Sequence, residues 1–337
     1  MPQECTGVLD ESWVLERHYR GNYTKHEPGM CTDDSEMTAI VFKLLVQHDF
    51  TTSTLVRECI RWANSGTKST GSNTRHLFKG YKIAGTYYTR FNRKFYSKSI
   101  CEKAQSNGHL MRCSPLALID CPRMREWSIE INVELTNPSS VSLQVEKIYI
   151  NVLRECLTSG TGIAETRGRI RQNLEHIRDV SHEGPLKTAL SDALAPVFQR
   201  DVARKCAGWS LHALSASLHF LLAELPDFQR AILAVVHRGG DTDTNGAIAG
   251  ALLGALWGEQ AMQENPATKL NMQVIRECQP TVTTRVRNGP LLTMARPQEY
   301  QWAHVEKLLE TNLSASDSDT RRPRKRSRRS RICDDAV

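Results

Sequence analysis

The sequence predicts an all-α protein with a single large domain, and three observations support this fold class. Apolar residues recur at helical spacing along most of the chain, whereas the apolar–polar alternation of strands is rare. The 337 residues are 40% hydrophobic and 24% charged, a composition that allows a sizeable core. We therefore expect a helical domain over residues 1–310 and a disordered, polar tail over residues 311–337.

The first clear helix follows about thirty polar residues that show no period. Its apolar positions, spaced as on one helix face, are Met37, Ile40, Val41, Leu44 and Leu45. Asp33 and Glu36 stand where a capping box would begin this helix. A second helix is predicted over 53–63, followed by a polar loop over 64–75 and by helical or mixed structure to about residue 104.

The remaining helices are predicted from the same periodicity. They cover 124–134, 140–158, 169–178, 186–203, 209–222 and 228–236. A further helix is expected after Asp241-Thr242-Asp243-Thr244, where Gly246, Gly250, Gly254 and Gly258 repeat every four residues on one face. A glycine inside a helix costs about 1 kcal/mol relative to alanine, so we expect close packing of this face to offset that cost.

Charge and cysteine usage exclude several classes of protein. The net charge of +7 is concentrated, because Arg321–Arg331 holds eight of the 44 Lys and Arg residues, and removing them leaves −1. The ten cysteines contain no CxxC pair, and the N-terminus lacks the apolar core of a signal peptide. We expect free thiols and a nuclear or cytoplasmic location, not secretion. The longest apolar run, Ala247–Trp257, is too short to span a membrane.

Two oxygen-rich groups stand at the starts of apolar helices about 200 residues apart. The first is Thr32-Asp33-Asp34, and the second is Asp241, Asp243 and Thr244, which follow Gly239-Gly240. Each group alone is also typical of a helix N-cap. A cap needs only one aspartate, however, and neighbouring carboxylates repel unless a cation or donors intervene. Together the groups favour a Mg²⁺ or Mn²⁺ site built from both ends of the domain.

The segment Gln105–Arg112 carries a turn signal at Asn107-Gly108. It is either an ordinary tight turn or a backbone loop that holds a phosphate. Arg112 is then either a surface charge or a residue that ties the loop in place, and His109 is one of eleven histidines.

Four segments, in order, carry a resemblance to a known family. They are residues 29–37, Gly71-Ser72-Asn73-Thr74-Arg75, residues 106–116, and the Gly-Gly-Asp-Thr-Asp-Thr segment with its small-residue helix at 239–258. The chain resembles the ADP-ribosylglycohydrolases over about residues 29–300, and Arg296-Pro297 is similar to a late segment of that family.

This resemblance implies an orthogonally packed helical domain with a central cleft that binds two Mg²⁺ or Mn²⁺ ions. The implied metal ligands are Thr32, Asp33, Asp34, Asp241, Asp243 and Thr244. The implied substrate-binding residues are Ser106, Asn107, Gly108, His109, Arg112 and Asn137, the last standing where many members have a histidine near the adenosine. Asp34 is the expected proton-transferring group, with Asp33 as the alternative.

The N-terminus departs from the family pattern. Members usually open with a helix that carries a Gly-Asp-x-x-Gly element and then a glutamate, and Gly7–Glu11 replaces this element poorly. Glu11, Glu16 and Glu27 are candidate replacements for the glutamate. Two main hypotheses follow: a metal-dependent hydrolase that releases ADP-ribose from protein side chains or a related conjugate, and a non-catalytic ADP-ribose-binding or structural member of the same fold.

The basic tail adds a third hypothesis. Arg321–Arg331 is either a nuclear-import signal read by an import receptor, a nucleic-acid-binding segment, or a solvated run of charge. If nucleic acid is the partner, the chain is a nuclear protein with a vestigial enzyme-like core.

Overall fold

The structure is a computed structural model that describes residues 32–67, 70–80, 84–203 and 206–264. Within these ranges the regular structure is helical and contains no named strand, so the all-α prediction is confirmed. Several predictions lie outside the described residues. They concern the replacement glutamates Glu11, Glu16 and Glu27, the Arg296-Pro297 segment and the tail over 311–337.

The described part of the chain contains twelve α-helices and two 3-10 helices. In chain order they are α1 (Asp33–Val46), α2 (Thr52–Ala63), α3 (Ser72–Phe78), α4 (Ala84–Lys94), α5 (Lys98–Cys101), η1 (Asn107–Arg112), η2 (Ser114–Leu118), α6 (Pro122–Thr136), α7 (Ser140–Thr158), α8 (Ile163–Val180), α9 (Pro185–Leu194), α10 (Ser210–Leu222), α11 (Phe228–Val236) and α12 (Thr242–Glu264).

Most of the predicted helices occur within a few residues of their expected bounds. One clear difference is the helix expected over 186–203, because α9 ends at Leu194. Ala195 is extended, with ψ of 148°, since Pro196 disfavours a helical conformation in the residue before it.

Helix α10 forms the centre of the domain. Twelve of its thirteen residues are buried, which requires other elements to surround the helix on all sides. It packs against α9, α11 and α12, and it also contacts η1, which carries part of the candidate site. Tyr149 of α7 donates a hydrogen bond to the Ile248 carbonyl of α12 at 2.9 Å, which fixes α12 beside the core.

The N-terminus of α1 differs from the capping box expected there. Thr32 is the N-cap residue, but its side chain makes no capping bond and instead donates to Asp34 Oδ2 at 2.7 Å. Glu36 accepts a hydrogen bond from the Trp62 indole at 2.7 Å, so it connects α1 to α2. The capping-box prediction was therefore wrong.

The small-residue face of α12 packs closely on α11 at its first two glycines. A Cβ atom at Gly246 would lie 3.7 Å from Val236 Cγ2, and one at Gly250 would lie 3.6 Å from Ile232 Cδ1. Gly258 behaves differently, because its φ of 77° interrupts the helix. The expected close packing thus applies to the first half of α12.

No helix in the described ranges is both long enough and apolar enough to cross a membrane. The six cysteines within those ranges are free thiols, of which Cys59, Cys113 and Cys156 are buried.

The contact at Gly250 predicts opposite effects for two substitutions. Gly250→Ala should raise the free energy of unfolding by up to about 1 kcal/mol, because a Cβ fits at ordinary contact distance and alanine favours helix. Gly250→Leu should lower it by about 1–3 kcal/mol through overpacking against Ile232. Urea denaturation of the two variants beside the wild type measures both effects, and a destabilised alanine variant would contradict the packing described.

Candidate active site

The two oxygen-rich groups predicted from the sequence meet in the folded protein. Asp34 is only 2% exposed at the start of α1, and it lies close enough to Asp33 and Asp241 for both carboxylates to affect its pKa. Its side chain also interacts by hydrogen bonding with Thr244 in the first turn of α12. The N-termini of α1 and α12 therefore share one acidic cluster.

Burial and charge both act on Asp34. Loss of solvent, and after it the neighbouring charges of Asp33 and Asp241, raise the pKa of this carboxyl to about 7. Hydrogen bonds from Thr32 and Thr244 lower it, although not enough to restore the ordinary value of 3.8. The cluster thus holds more negative charge than its own donors neutralise.

Asp241 is held by the first residue of η1. Asn107 Nδ2 donates to Asp241 Oδ2 at 2.8 Å, and the Asn107 backbone N–H donates to the Gly208 carbonyl at 2.8 Å. An isolated antiparallel bridge joins the neighbouring residues Ser106 and Trp209. A Cβ at Gly208 would lie 3.2 Å from Asp241 Oδ2, so glycine leaves room for this carboxylate.

The second glycine of the pair before Asp241 is required for steric reasons. Gly240 has a φ of 80°, and a Cβ there would lie 2.4 Å from the Val202 carbonyl oxygen. Only glycine fits both the left-handed backbone and this close approach. After the turn, Asp243 Oδ1 accepts a hydrogen bond from the Thr244 N–H at 2.8 Å.

Asp33 faces the loop before α3. Its Oδ2 accepts a hydrogen bond from the Gly71 N–H at 3.3 Å, so the weakly predictive Gly-x-Asn-Thr-Arg segment borders the acidic cluster. That segment also reaches η1, because Asn73 Nδ2 lies 3.5 Å from Ser106 Oγ.

The donor set fits a hard divalent cation in charge and chemistry. Asp34 Oδ1 is buried without a hydrogen-bond partner among the described residues, and the surrounding donors are carboxylate and hydroxyl oxygens. No three His, Cys, Asp or Glu side chains in the described ranges converge as a complete ligand set. The hydroxyls of Thr32 and Thr244, with water or ligand oxygens, would therefore have to complete the coordination of any ion.

Arg112 is a buried structural residue instead of a surface charge. It is fully buried, and its guanidinium donates to Asn132 Oδ1 and to the Asn132 carbonyl, both at 2.8 Å. It also donates to Thr136 Oγ1 at 2.9 Å and to the Gly108 carbonyl. The arginine thus fixes η1, and with it Asn107, against α6.

His109 lies in the same internal network. Its Nδ1 is 2.7 Å from Glu146 Oε2, and Asn132 Nδ2 donates to both Glu146 oxygens and to the His109 carbonyl at 2.9 Å. Burial raises the pKa of Glu146, and the His109 hydrogen bond opposes this shift. Because both side chains are fully buried, they support the loop from behind.

Asn137 also supports the loop. It is fully buried and donates to Ser106 Oγ at 2.8 Å and to the Ser106 carbonyl at 3.2 Å. In this conformation His109, Arg112 and Asn137 are enclosed, and Asn107 is buried beside Asp241. Among the predicted substrate-binding residues, only Ser106 and Gly108 are half-buried. Substrate binding by this segment stays a prediction.

Sequence reasoning missed several residues that shape the site. They are Gly208 beside Asp241, Asn132 and Glu146 behind η1, and Asn245, whose buried Oδ1 has no hydrogen-bond partner in the described part of the chain. None of them except Asn245 stands in one of the segments that carry the family resemblance. Asn245 alone could have been found, because it follows Thr244 directly.

Comparisons with known proteins identify the family and the fold. The family model described as ADP-ribosylglycohydrolase matches residues 3–291. A curated relative, the ADP-ribosyl-[dinitrogen reductase] glycohydrolase of Rhodospirillum rubrum, is 25% identical over 275 residues, which cover 80% of this chain and 84% of that protein. A solved structure described as an ADP-ribosylglycohydrolase-related protein complex superposes with a TM-score of 0.57 at 20% identity, covering 86% of this chain and 89% of that one. This last likeness bears on the fold alone.

The crowding of carboxylates in the acidic cluster predicts stabilisation by divalent cations. Mg²⁺ should raise the melting temperature, since an ion that binds only the folded state stabilises it by mass action. Gly208→Ala should reduce this rise, because the added methyl crowds Asp241 Oδ2. Gly85→Ala, at a helical position where a Cβ meets nothing within 4 Å, is the matched control. Differential scanning fluorimetry over a Mg²⁺ titration measures the effect, and an unchanged melting temperature in the wild type would contradict it.

The network around Arg112 predicts a large loss of stability when the arginine is removed. Arg112→Met leaves several buried acceptors unpaired, at about 1–3 kcal/mol for each stranded group, so we expect a loss of at least ~3 kcal/mol. Arg123→Met, at an exposed position on α6, should change stability by less than ~0.5 kcal/mol. Urea unfolding followed by tryptophan fluorescence compares the two, and equal midpoints would refute the structural role.

Proposed function

Because this chain belongs to the ADP-ribosylglycohydrolase family, we propose that it is a metal-dependent hydrolase that releases ADP-ribose from ADP-ribosylated protein side chains or a related conjugate. The observation that carries the proposal is the shared acidic cluster at the starts of α1 and α12. Its carboxylates come from the segments that match the family most specifically, and they are held in place by hydrogen bonds to the rest of the fold.

The chemistry requires a site that tolerates positive charge on a sugar. Breaking a bond to the anomeric carbon of ribose passes through an oxocarbenium-like state. The buried carboxylates of Asp33 and Asp34, with the half-buried Asp241 beside them, favour that charge electrostatically, because they act in a partly water-excluded region. Thr32 and Thr244 orient Asp34 through their hydroxyls.

Divalent cations at this cluster, when bound, would supply Lewis-acid character and lower the pKa of a coordinated water. The residues that would hold them are Thr32, Asp33, Asp34, Asp241, Asp243 and Thr244. Asp34 is the proposed proton-transferring residue, because one of its oxygens is unpartnered and its pKa lies near neutrality. Asp33 is the alternative, since it borders the same cluster from the side of Gly71.

The segment Ser106–Gly108 is proposed to bind the ADP-ribosyl group beside the acidic cluster. Its backbone is fixed by Arg112 and Asn137 from within, and Asn107 contacts Asp241 directly. A preorganised loop of this kind loses little entropy when the ligand binds. The modified protein and, through Arg321–Arg331, an import receptor or nucleic acid are the proposed partners.

One sequence feature favours a second function. The chain lacks the Gly-Asp-x-x-Gly element with which family members usually begin, and a missing catalytic acid would leave a protein that binds ADP-ribose without turnover. Such a protein would use the same loop and the same acidic cluster, so only a measurement of both binding and release separates the two functions.

The proposed activity is tested by ADP-ribose release from arginine-linked and serine-linked substrates, with and without Mg²⁺. The wild type should release ADP-ribose only with the metal, and Asp241→Asn combined with Asp243→Asn should abolish release. Asp120→Asn should retain full activity, because that carboxylate is 95% exposed and pairs only with Arg154.

Two outcomes would contradict the hydrolase. Release by the Asp241/Asp243 double variant at the wild-type rate would show that the acidic cluster is not the reaction centre. Calorimetric binding of ADP-ribose in the presence of Mg²⁺, together with no release from either linkage, would establish the binding function in place of hydrolysis.

A further inference from the structure

A lysine ammonium lies near the acidic cluster without an acidic partner. Lys94 ends α4, is half-buried, and donates from Nζ to Asn73 Oδ1 at 2.5 Å. The centroid of the Phe95 ring lies 5.6 Å from Nζ. Among the described residues, no carboxylate forms an ion pair with Lys94. Burial lowers the pKa of this ammonium, which is the usual effect when a cation loses water without gaining an anion.

Two more basic residues, His76 and Arg90, lie close to Lys94. The pKa of His76 is lowered by burial and then by the nearby charges of Lys94 and Arg90. Arg90 donates to the His76 carbonyl at 2.8 Å, which fixes α4 against α3. The lowered pKa leaves His76 largely neutral near pH 7, so Lys94 and Arg90 make this region cationic, and such a region attracts anionic ligands.

Asn73 connects Lys94 to the candidate active site. Its amide nitrogen lies 3.5 Å from Ser106 Oγ, and the next residue, Asn107, holds Asp241. Gly71, which contacts Asp33, precedes Asn73 by two residues, a stretch of at most ~7 Å. The site therefore has an acidic end at the aspartates and a cationic end at Lys94, separated by one short segment.

A ligand that fits both ends must carry a neutral or cation-binding group beside an anion. Carboxylates repel phosphate, so a phosphorylated sugar can bind with its hydroxyls near Asp33 and Asp34 only if a cation elsewhere takes the phosphate. An ammonium has three donors and Asn73 uses one, which leaves two for phosphate oxygens.

We propose that Lys94, positioned by Asn73, binds the diphosphate of the ADP-ribosyl ligand and selects ligands in which a phosphate is attached to the ribose. This inference rests on the proposed function, because it assigns the part of the ligand that lies away from the scissile bond. It adds a binding residue from α4, a helix in which the sequence predicted no site residue.

The inference is tested by isothermal titration calorimetry with ADP-ribose, ADP, pyrophosphate and adenosine, at fixed ionic strength and Mg²⁺. Lys94→Met should weaken ADP-ribose and ADP binding roughly 10- to 100-fold, as expected for the loss of a charged hydrogen bond, and leave adenosine binding unchanged. Lys94→Arg should retain most of the affinity. Lys103→Met, which removes an exposed lysine outside the cationic region, should bind like the wild type.

Lys94→Gln serves as a second variant, and thermal denaturation of each variant checks that it is folded. The inference is overturned if the lysine variants bind ADP-ribose as tightly as the wild type, or if adenosine binding weakens by the same factor. Failure of the wild type to bind any diphosphate probe overturns it as well.

The release assay separates this inference from the proposed function. If Lys94→Met releases ADP-ribose with an unchanged KM, the hydrolase stands and the role of Lys94 falls. If diphosphate binding depends on Lys94 but no linkage is cleaved, the role of Lys94 stands and the hydrolase falls.

Discussion

Like-charge repulsion among buried carboxylates is the constraint around which this domain is organised. Asp34 is buried beside Asp33 and Asp241, and its burial together with those two charges raises its pKa to about 7. Selection for stability alone would separate these carboxylates, because bringing like charges together in a region with little water is unfavourable. The fold instead brings together the starts of two helices that are about 200 residues apart in the chain. Retained strain of this type is characteristic of functional sites.

The rest of the site can be understood as support for that arrangement. Arg112 and Asn132 hold η1 rigid, η1 positions Asn107, and Asn107 donates to Asp241. Each buried polar group in this series has a partner on a different helix, so the loop cannot move without breaking several bonds at once. Lys94 is not part of this series of hydrogen bonds, and its proposed role is to bind the ligand.

Much of this could be predicted from sequence, and the reasons for the exceptions are physical. Helical periodicity identified α7 and α11 at their exact bounds, and local chemistry identified both acidic groups. The roles of Arg112 and His109 could not be predicted, because their partners Asn132 and Glu146 come from helices whose packing angles no local pattern encodes. Pro196 explains why α9 ends at Leu194. The helical spacing of apolar residues continues past Leu194, however, and therefore predicted a longer helix.

The distance along the chain between the two halves of the site has a consequence for biosynthesis. Asp34 leaves the ribosome long before Asp241, so in nascent chains α1 can pack on α2 and η1 while its aspartates still lack Asp241 and Thr244. Contacts of such long sequence separation form late and slowly. The acidic cluster is therefore a marker of completed folding: intermediates that lack a docked α12 can have a nearly complete helical core while remaining functionally silent.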